Sequence, residues 1–233
     1  MPRTSPLIAV LLDENTSGDG SRYEASKTYF EAVDAAGGLP FGIPYLPAVI
    51  EDVVENFDGL LATGSRFAFP PDWYLPGETT AAPPSPRLEA ECKIMEGFLA
   101  RDKPVLGLCG GMQVLAGLRG CRLAADTTKI STARRNHCDP AISHGVALVA
   151  GTRLAAIAEA PVFEVNSLHR ESVAEAPEGV VVSAFSEDGV IEAIELPQHR
   201  FALGLQWHQE KYAGKAHPGN TVFGAFVAAC QEP

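Results

Sequence analysis

The chain has no basic stripe. Its 18 Lys and Arg residues are scattered among 29 Asp and Glu, leaving a formal net charge of −11 over 233 residues. A phosphate backbone requires clustered cations, so this charge pattern argues against nucleic acid as a partner. Nor does any apolar run approach the roughly 20 residues that span a bilayer. The start, Met1-Pro2-Arg3-Thr4-Ser5, leads straight into a strand-like run and lacks a signal-peptide core, so the expected location is the cytoplasm, with no membrane partner. Five cysteines, Cys92, Cys109, Cys121, Cys138 and Cys230, form an odd set without C-x-x-C spacing. That set argues against a disulfide framework and a zinc knuckle, and leaves at least one free thiol. What is present is the composition of a packed globular protein, 46% hydrophobic and 20% charged, with the length of one large domain over residues 1–233.

The hydrophobic pattern predicts an α/β fold: an open, mostly parallel sheet with helices on both faces. Leu7 to Leu12 is a continuous apolar run ending at Asp13-Glu14-Asn15, as a doubly buried strand meets its loop. Helical spacing covers Tyr23 to Ala36 and stops at Gly37-Gly38. A strand at Leu39 to Pro44, a helix at Ile50 to Phe57 and a strand at Gly59 to Thr63 follow. This alternation implies right-handed crossovers. Phe67 to Pro86 reads as a long surface loop near the carboxyl ends of the strands, and Ser85 to Ala100 as a helix. Beyond residue 120, short strands at 146–149, 162–165, 180–185, 190–194 and 201–206 predict a small antiparallel extension. Asp188-Gly189 carries a two-residue hairpin signal, and Asn220 to Gln231 is a closing helix.

The segment Pro104 to Ala116, PVLGLCGGMQVLA, is the most informative. A buried strand enters G-x-C-x-G and passes directly into an apolar helix, the spacing of a nucleophile elbow. Cys109 is then exposed at the top of the sheet, at a helix N-terminus that favours thiolate. The Gly110 amide and the Gly64-Ser65 turn are candidate oxyanion donors. The competing reading makes Cys109 an inert core residue between glycines that permit close packing.

A base is supplied by Gly204 to Glu210, GLQWHQE, where extended backbone puts His208 and Glu210 on one side. An imidazole can take the thiol proton while a carboxylate fixes the ring. H-x-E alone is weak; joined to the elbow cysteine it points to catalysis. His137-Cys138-Asp139 lacks a second cluster of donors, so no metal or other cofactor is expected. His144, His199 and His217 read as surface or capping residues.

Across nearly its whole length the chain resembles the class I glutamine amidotransferase superfamily, specifically its γ-glutamyl-γ-aminobutyrate hydrolase branch. The resemblance rests on YFEAVDAAGGLPFGIP (29–44), DGLLATGS (58–65), DKPVLGLCGGMQVLAG (102–117), FEVNSLHRE (163–171), DGVIEAIE (188–195) and GLQWHQE (204–210). It implies a Cys109-His208-Glu210 triad, oxyanion donors at Gly110 and the Gly64-Ser65 turn, and a glutamyl contact at Gln113. It also implies substrate contacts at Asn166, Ser167 and His169. Two positions depart from the branch: Gly110 stands where Arg is common, and Gln209 replaces a common Pro, exchanging a rigid link for a flexible one. The implied reaction is hydrolysis of a small γ-glutamyl amide through a thioester, with a homodimer as the family-level expectation. A glutaminase subunit feeding ammonia to a synthetase partner, and a non-catalytic binding module on the same fold, are the alternatives.

Overall fold

A computed structural model describes residues 4–14, 20–139 and 141–232; Met1–Arg3 and Asn15, which entered the sequence reading, lie outside them. Nine strands form a single sheet: β1 (Leu7–Leu11), β2 (Leu39–Ile43), β3 (Gly59–Ala62), β4 (Val105–Leu108), β5 (Ser143–Leu148), β6 (Val162–Asn166), β7 (Val181–Ser186), β8 (Ile191–Glu195) and β9 (Ala202–Leu205). Their order is β2-β1-β3-β4-β9-β8-β7-β5-β6. The first five are mutually parallel, and from β9 onward each neighbour is antiparallel. The antiparallel strands therefore continue the parallel sheet directly, with β9 as the shared edge.

The apolar runs of the parallel strands are explained by cover on both faces. Along β1, Ile8 and Val10 pack to one side, with Tyr29, Ala32 and Val33 of α1 (Lys27–Ala35) and the buried residues of α6 (Thr221–Ala229). Ala9 and Leu11 face the other side, with Val53 and Val54 of α2 (Ile50–Asn56), Ile94, Met95 and Phe98 of α3 (Arg87–Ala100), and α4 (Gly110–Leu118). A short helix, α5 (Arg153–Ile157), completes the set.

Two local expectations are corrected, and one further ribbon was not anticipated. Helix α1 begins at Lys27, because the Ser26 side chain accepts from the Thr28 amide and caps it, while Tyr23–Glu24 pairs with Asp13–Glu14 as a small ribbon. The β7–β8 hairpin closes between Ser186 and Val190, so its loop holds three residues, with Gly189 at φ +85°. That is the left-handed position a three-residue loop reserves for glycine. A second ribbon, Arg122–Ala124 with Ser172–Glu175, carried no legible sequence signal.

Candidate active site

The site forms where three adjacent parallel strands end. Register aligns Ala62 of β3 with Gly107 of β4, and Gly107 with Gly204 of β9. Gly64 and Cys109 stand two residues beyond that line and His208 four. Open α/β sheets bind ligands at this carboxyl rim.

The chain turns from β4 into α4 through one residue. Cys109 has φ 53° and ψ −105°, a setting that costs a side-chain-bearing residue about 1–3 kcal/mol. Glycines over-determine it. A Cβ on Gly107 would lie 2.6 Å from the Gly111 carbonyl oxygen, and one on Gly111 would meet the Ala62 carbonyl oxygen. Close packing and a sharp elbow are thus one geometry. Cys109 is only 6% exposed, so it stands in a cavity wall, where the sequence reading had it exposed.

His208 reaches Cys109 from β9. Its Nδ1 is 2.7 Å from Glu210 Oε1; the carboxylate accepts, so Nδ1 carries the proton and Nε2 is left for the thiol. The two residues meet through a tight turn at Gln209–Tyr212, not through extended backbone as expected. The imidazole and the Cys109 side chain both flank Gly64: a Cβ built there would lie 2.9 Å from His208 Cε1 and 3.6 Å from Cys109 Cβ. Burial opposes charge on each partner, pushing the thiol up and the imidazole down. The charge of each on the other and their shared hydrogen bond outweigh burial, leaving Cys109 lowered and His208 raised, with Glu210 adding to the latter. The pair favours thiolate and imidazolium.

Gln209 is not the flexible link its identity suggested. It is 1% exposed, accepts from Trp207 Nε1 at 2.8 Å and donates to Asn220 Oδ1 at 3.1 Å. Asn166 brackets the His208 backbone, donating to its carbonyl at 2.9 Å and accepting from its amide at 3.0 Å. Ser167 donates to the His137 carbonyl at 2.9 Å. Neither Asn166 nor Ser167 lines the cavity.

That cavity, about 270 Å³, is lined by Cys109, Gln113, His169 and Ser65, with Arg66, Arg170, Phe67 and Phe69 around them. Gln113 is fixed by donating to the Glu171 carbonyl at 2.7 Å and to Gln206 Oε1 at 3.1 Å. The Gly64 amide is engaged, donating to Tyr29 Oη at 3.1 Å. Ser65 lies against Gly110, where a Cβ would be 2.6 Å from the Ser65 nitrogen and would overlap its hydroxyl. The Ser65 amide nitrogen is therefore packed directly against Gly110. Ser65 Oγ is buried without a partner among the described residues.

Two supports escaped the sequence reading. Tyr29, read only as an apolar helix position, holds Gly64 and places its hydroxyl 3.4 Å from His208 Nδ1. Arg87, fully buried, donates to the carbonyls of Thr63 (2.9 Å) and Gly64 (3.1 Å), and pairs with Glu91 (2.9 Å) and Asp13 (3.2 Å). Only its i,i+4 spacing to Glu91 was visible beforehand. The histidine expectations also change. His217 caps a short turn as expected, accepting from the Gly219 amide, but His144 is 2% exposed and gathers with His137, His169 and Glu192.

Comparison with known proteins gives the family of the chain. The chain is 29% identical over 240 residues to the γ-glutamyl-γ-aminobutyrate hydrolase PuuD of Escherichia coli (strain K12), covering 97% of this chain and 94% of that protein. It is 34% identical over 197 residues to a Mycobacterium tuberculosis protein provisionally named a glutamine amidotransferase, covering 78% of this chain and 61% of that one. The glutaminase domain of Trypanosoma brucei CTPS, solved with bound acivicin, superposes with a TM-score of 0.64 at 17% identity, over 97% of this chain and 94% of that one, which is a likeness of fold. The peptidase C26 model matches residues 6–210, a span that holds the elbow cysteine, the β9 histidine and its carboxylate, and the chain belongs to that family, within the class I glutamine amidotransferase-like group.

Proposed function

We propose that this chain hydrolyses the γ-glutamyl amide bond of a small γ-glutamyl-amine, of the γ-glutamyl-γ-aminobutyrate type. One observation carries the reading: a cysteine at a sharp elbow and an imidazole stand together against Gly64, and a buried carboxylate 2.7 Å from the ring orients it. Cys109 thiolate adds to the γ-carbonyl carbon, and the amides of Gly110 and Ser65 receive the oxyanion. His208 Nε2 protonates the departing amine as the C–N bond breaks, leaving a γ-glutamyl thioester. Neutral His208 then takes a proton from water, whose oxygen attacks the thioester. The C–S bond breaks, releasing glutamate and restoring thiolate and imidazolium.

The choice of substrate class is supported by the wall. Arg66 and Arg170 stand at a small cavity in a chain of net charge −11. Two cations in an acidic protein suit a substrate with two carboxylates, one on the glutamyl α-carbon and one on the amine half. Phe67 and Phe69 offer apolar contact to the methylenes between. Replacing Cys109 with Ala should abolish turnover and leave the fold intact, and a γ-glutamyl electrophile should form a single adduct at Cys109. Substantial residual hydrolysis in the variant refutes the assignment.

The name of the Mycobacterium tuberculosis relative favours a second reading, a glutaminase that feeds a synthetase. Purified chain that turns over γ-glutamyl amines but leaves glutamine nearly untouched supports the hydrolase; the opposite preference supports the glutaminase.

A further inference from the structure

Behind the cavity wall lies a cluster that the proposed reaction does not use. His137, His144, His169 and Glu192 present side chains that are 0 or 1% exposed. One potential donor atom from each lies within 4.8 Å of all the others. Glu192 Oε1 is 3.6, 3.4 and 3.6 Å from His137 Nδ1, His144 Nε2 and His169 Nε2, and those of His137 and His169 are 3.2 Å apart.

The outward ring nitrogens decide the protonation. His137 Nε2 faces Asp188 Oδ2 at 3.0 Å, His169 Nδ1 faces the Glu171 carbonyl at 3.1 Å, and His144 Nδ1 faces the Gly145 carbonyl at 3.3 Å. All three partners can only accept, so each outer nitrogen is the N–H and each inner nitrogen of a neutral ring is a lone pair. Three lone pairs then converge on a carboxylate. Ser167 brings one hydroxyl proton near His137 Nδ1, at 3.1 Å, but it also has the His137 carbonyl at 2.9 Å. Glu192 Oε1 and Oε2 and His144 Nε2 have no hydrogen-bond partner among the described residues. Buried acceptors facing one another repel unless a shared proton or a metal cation lies between them, and one proton cannot serve all four.

We propose that His137, His144, His169 and Glu192 bind one divalent transition metal ion, of the zinc class, in a closed four-coordinate site. Tetrahedral zinc with bonds of about 2.0–2.1 Å separates its donors by about 3.3–3.4 Å, against 3.2–3.6 Å for the four pairs above and up to 4.8 Å for the two between His144 and the other rings, which the ion would draw together. Three imidazoles disfavour magnesium and calcium, which take oxygen ligands. The outer shell follows the pattern of metal-bound histidine, whose second N–H goes to a carboxylate or a backbone carbonyl. With four protein donors the ion has no open position, so its role is to hold structure. It ties the loop bearing His137 and the segment bearing His169 to β5 and β8, and those two segments supply Cys138, Leu168, His169 and Arg170 to the cavity wall.

The test uses the full chain, expressed in zinc-supplemented medium and purified without chelator. Elemental analysis should find about one equivalent of metal per chain. Chelated protein should melt at lower temperature and recover with Zn2+, and Co2+ should give the visible bands of a four-coordinate nitrogen and oxygen site. Glu192→Gln and His144→Gln should each lower the occupancy. If either variant misfolds, the Co2+ titration of the unaltered chain still decides. Folded, metal-free protein that takes up neither ion overturns the proposal and leaves the cluster sharing protons. So does a thiolate-to-cobalt charge-transfer band, or metal content unchanged in a folded double variant.

Discussion

Replacing Arg87 with Leu separates the two tasks of this residue. Its guanidinium is fully buried, paired with the equally buried Glu91 and with Asp13, and it closes on the carbonyls of Thr63 and Gly64. Removing one member of a buried pair costs about 3–5 kcal/mol, because the other charge is left unpaired. At about 1.36 kcal/mol per decade, the folding equilibrium should fall by roughly two to four decades. A second change, Glu91→Leu, removes the stranded carboxylate; buried pairs replaced by apolar groups are often neutral or better. The double variant should therefore recover most of the lost stability in urea denaturation, with an unchanged slope. It should not recover kcat/KM, since the carbonyls of the Thr63-Gly64 turn remain unclamped and the Ser65 amide loses its fixed aim. Loss of under about 1 kcal/mol in the single variant refutes the buried-pair argument. Activity that returns in step with stability refutes the clamp.

Three further outcomes follow from the same geometry. Glu210→Gln removes the carboxylate that orients and helps charge the His208 ring, and should lower kcat by about 10²–10⁴ with little change in KM; a shift confined to KM contradicts the role. The pH profile of kcat/KM should be a bell: activity falls on the acid side as Cys109 thiolate takes a proton at its lowered pKa, and on the alkaline side as His208 loses one at its raised pKa. A profile whose acid limb sits at the ordinary thiol value denies the ion pair. Gln209→Ala strands the buried Trp207 N–H and should cost about 1–3 kcal/mol in thermal or urea unfolding, where a cost near zero rejects the fixed link.

What the sequence disclosed was what a few adjacent residues can encode. The elbow is five residues, GLCGG, and its strand and helix flank it directly, so Cys109 could be placed without knowing any distant contact. His208 and Glu210 were legible for the same reason, although a turn, not a strand, brings them together. Tyr29 was invisible because a tyrosine on the buried face of an amphipathic helix has the same period as a leucine, and only the approach of Gly64 turns its hydroxyl into a support. His144 was misread because its neighbours His169, on a loop, and Glu192, on β8, lie 25 and 48 residues downstream. No local spacing announces that meeting.

The pivot of the whole arrangement is β9. It pairs parallel with β4, which sets His208 two residues past the level of Cys109, and antiparallel with β8, which carries Glu192. The Gln206 amide donates to the Glu192 carbonyl at 2.8 Å, and its side chain receives Gln113 from α4. The segment that carries His208 and the strand that carries Glu192 are thus neighbours, linked by hydrogen bonds that cross between them. Buried polar groups of this kind are costly unless satisfied, and once satisfied they fix a single arrangement. The change from parallel to antiparallel pairing at β9 is what sets the segment of His208, beside Cys109, next to the strand that carries Glu192.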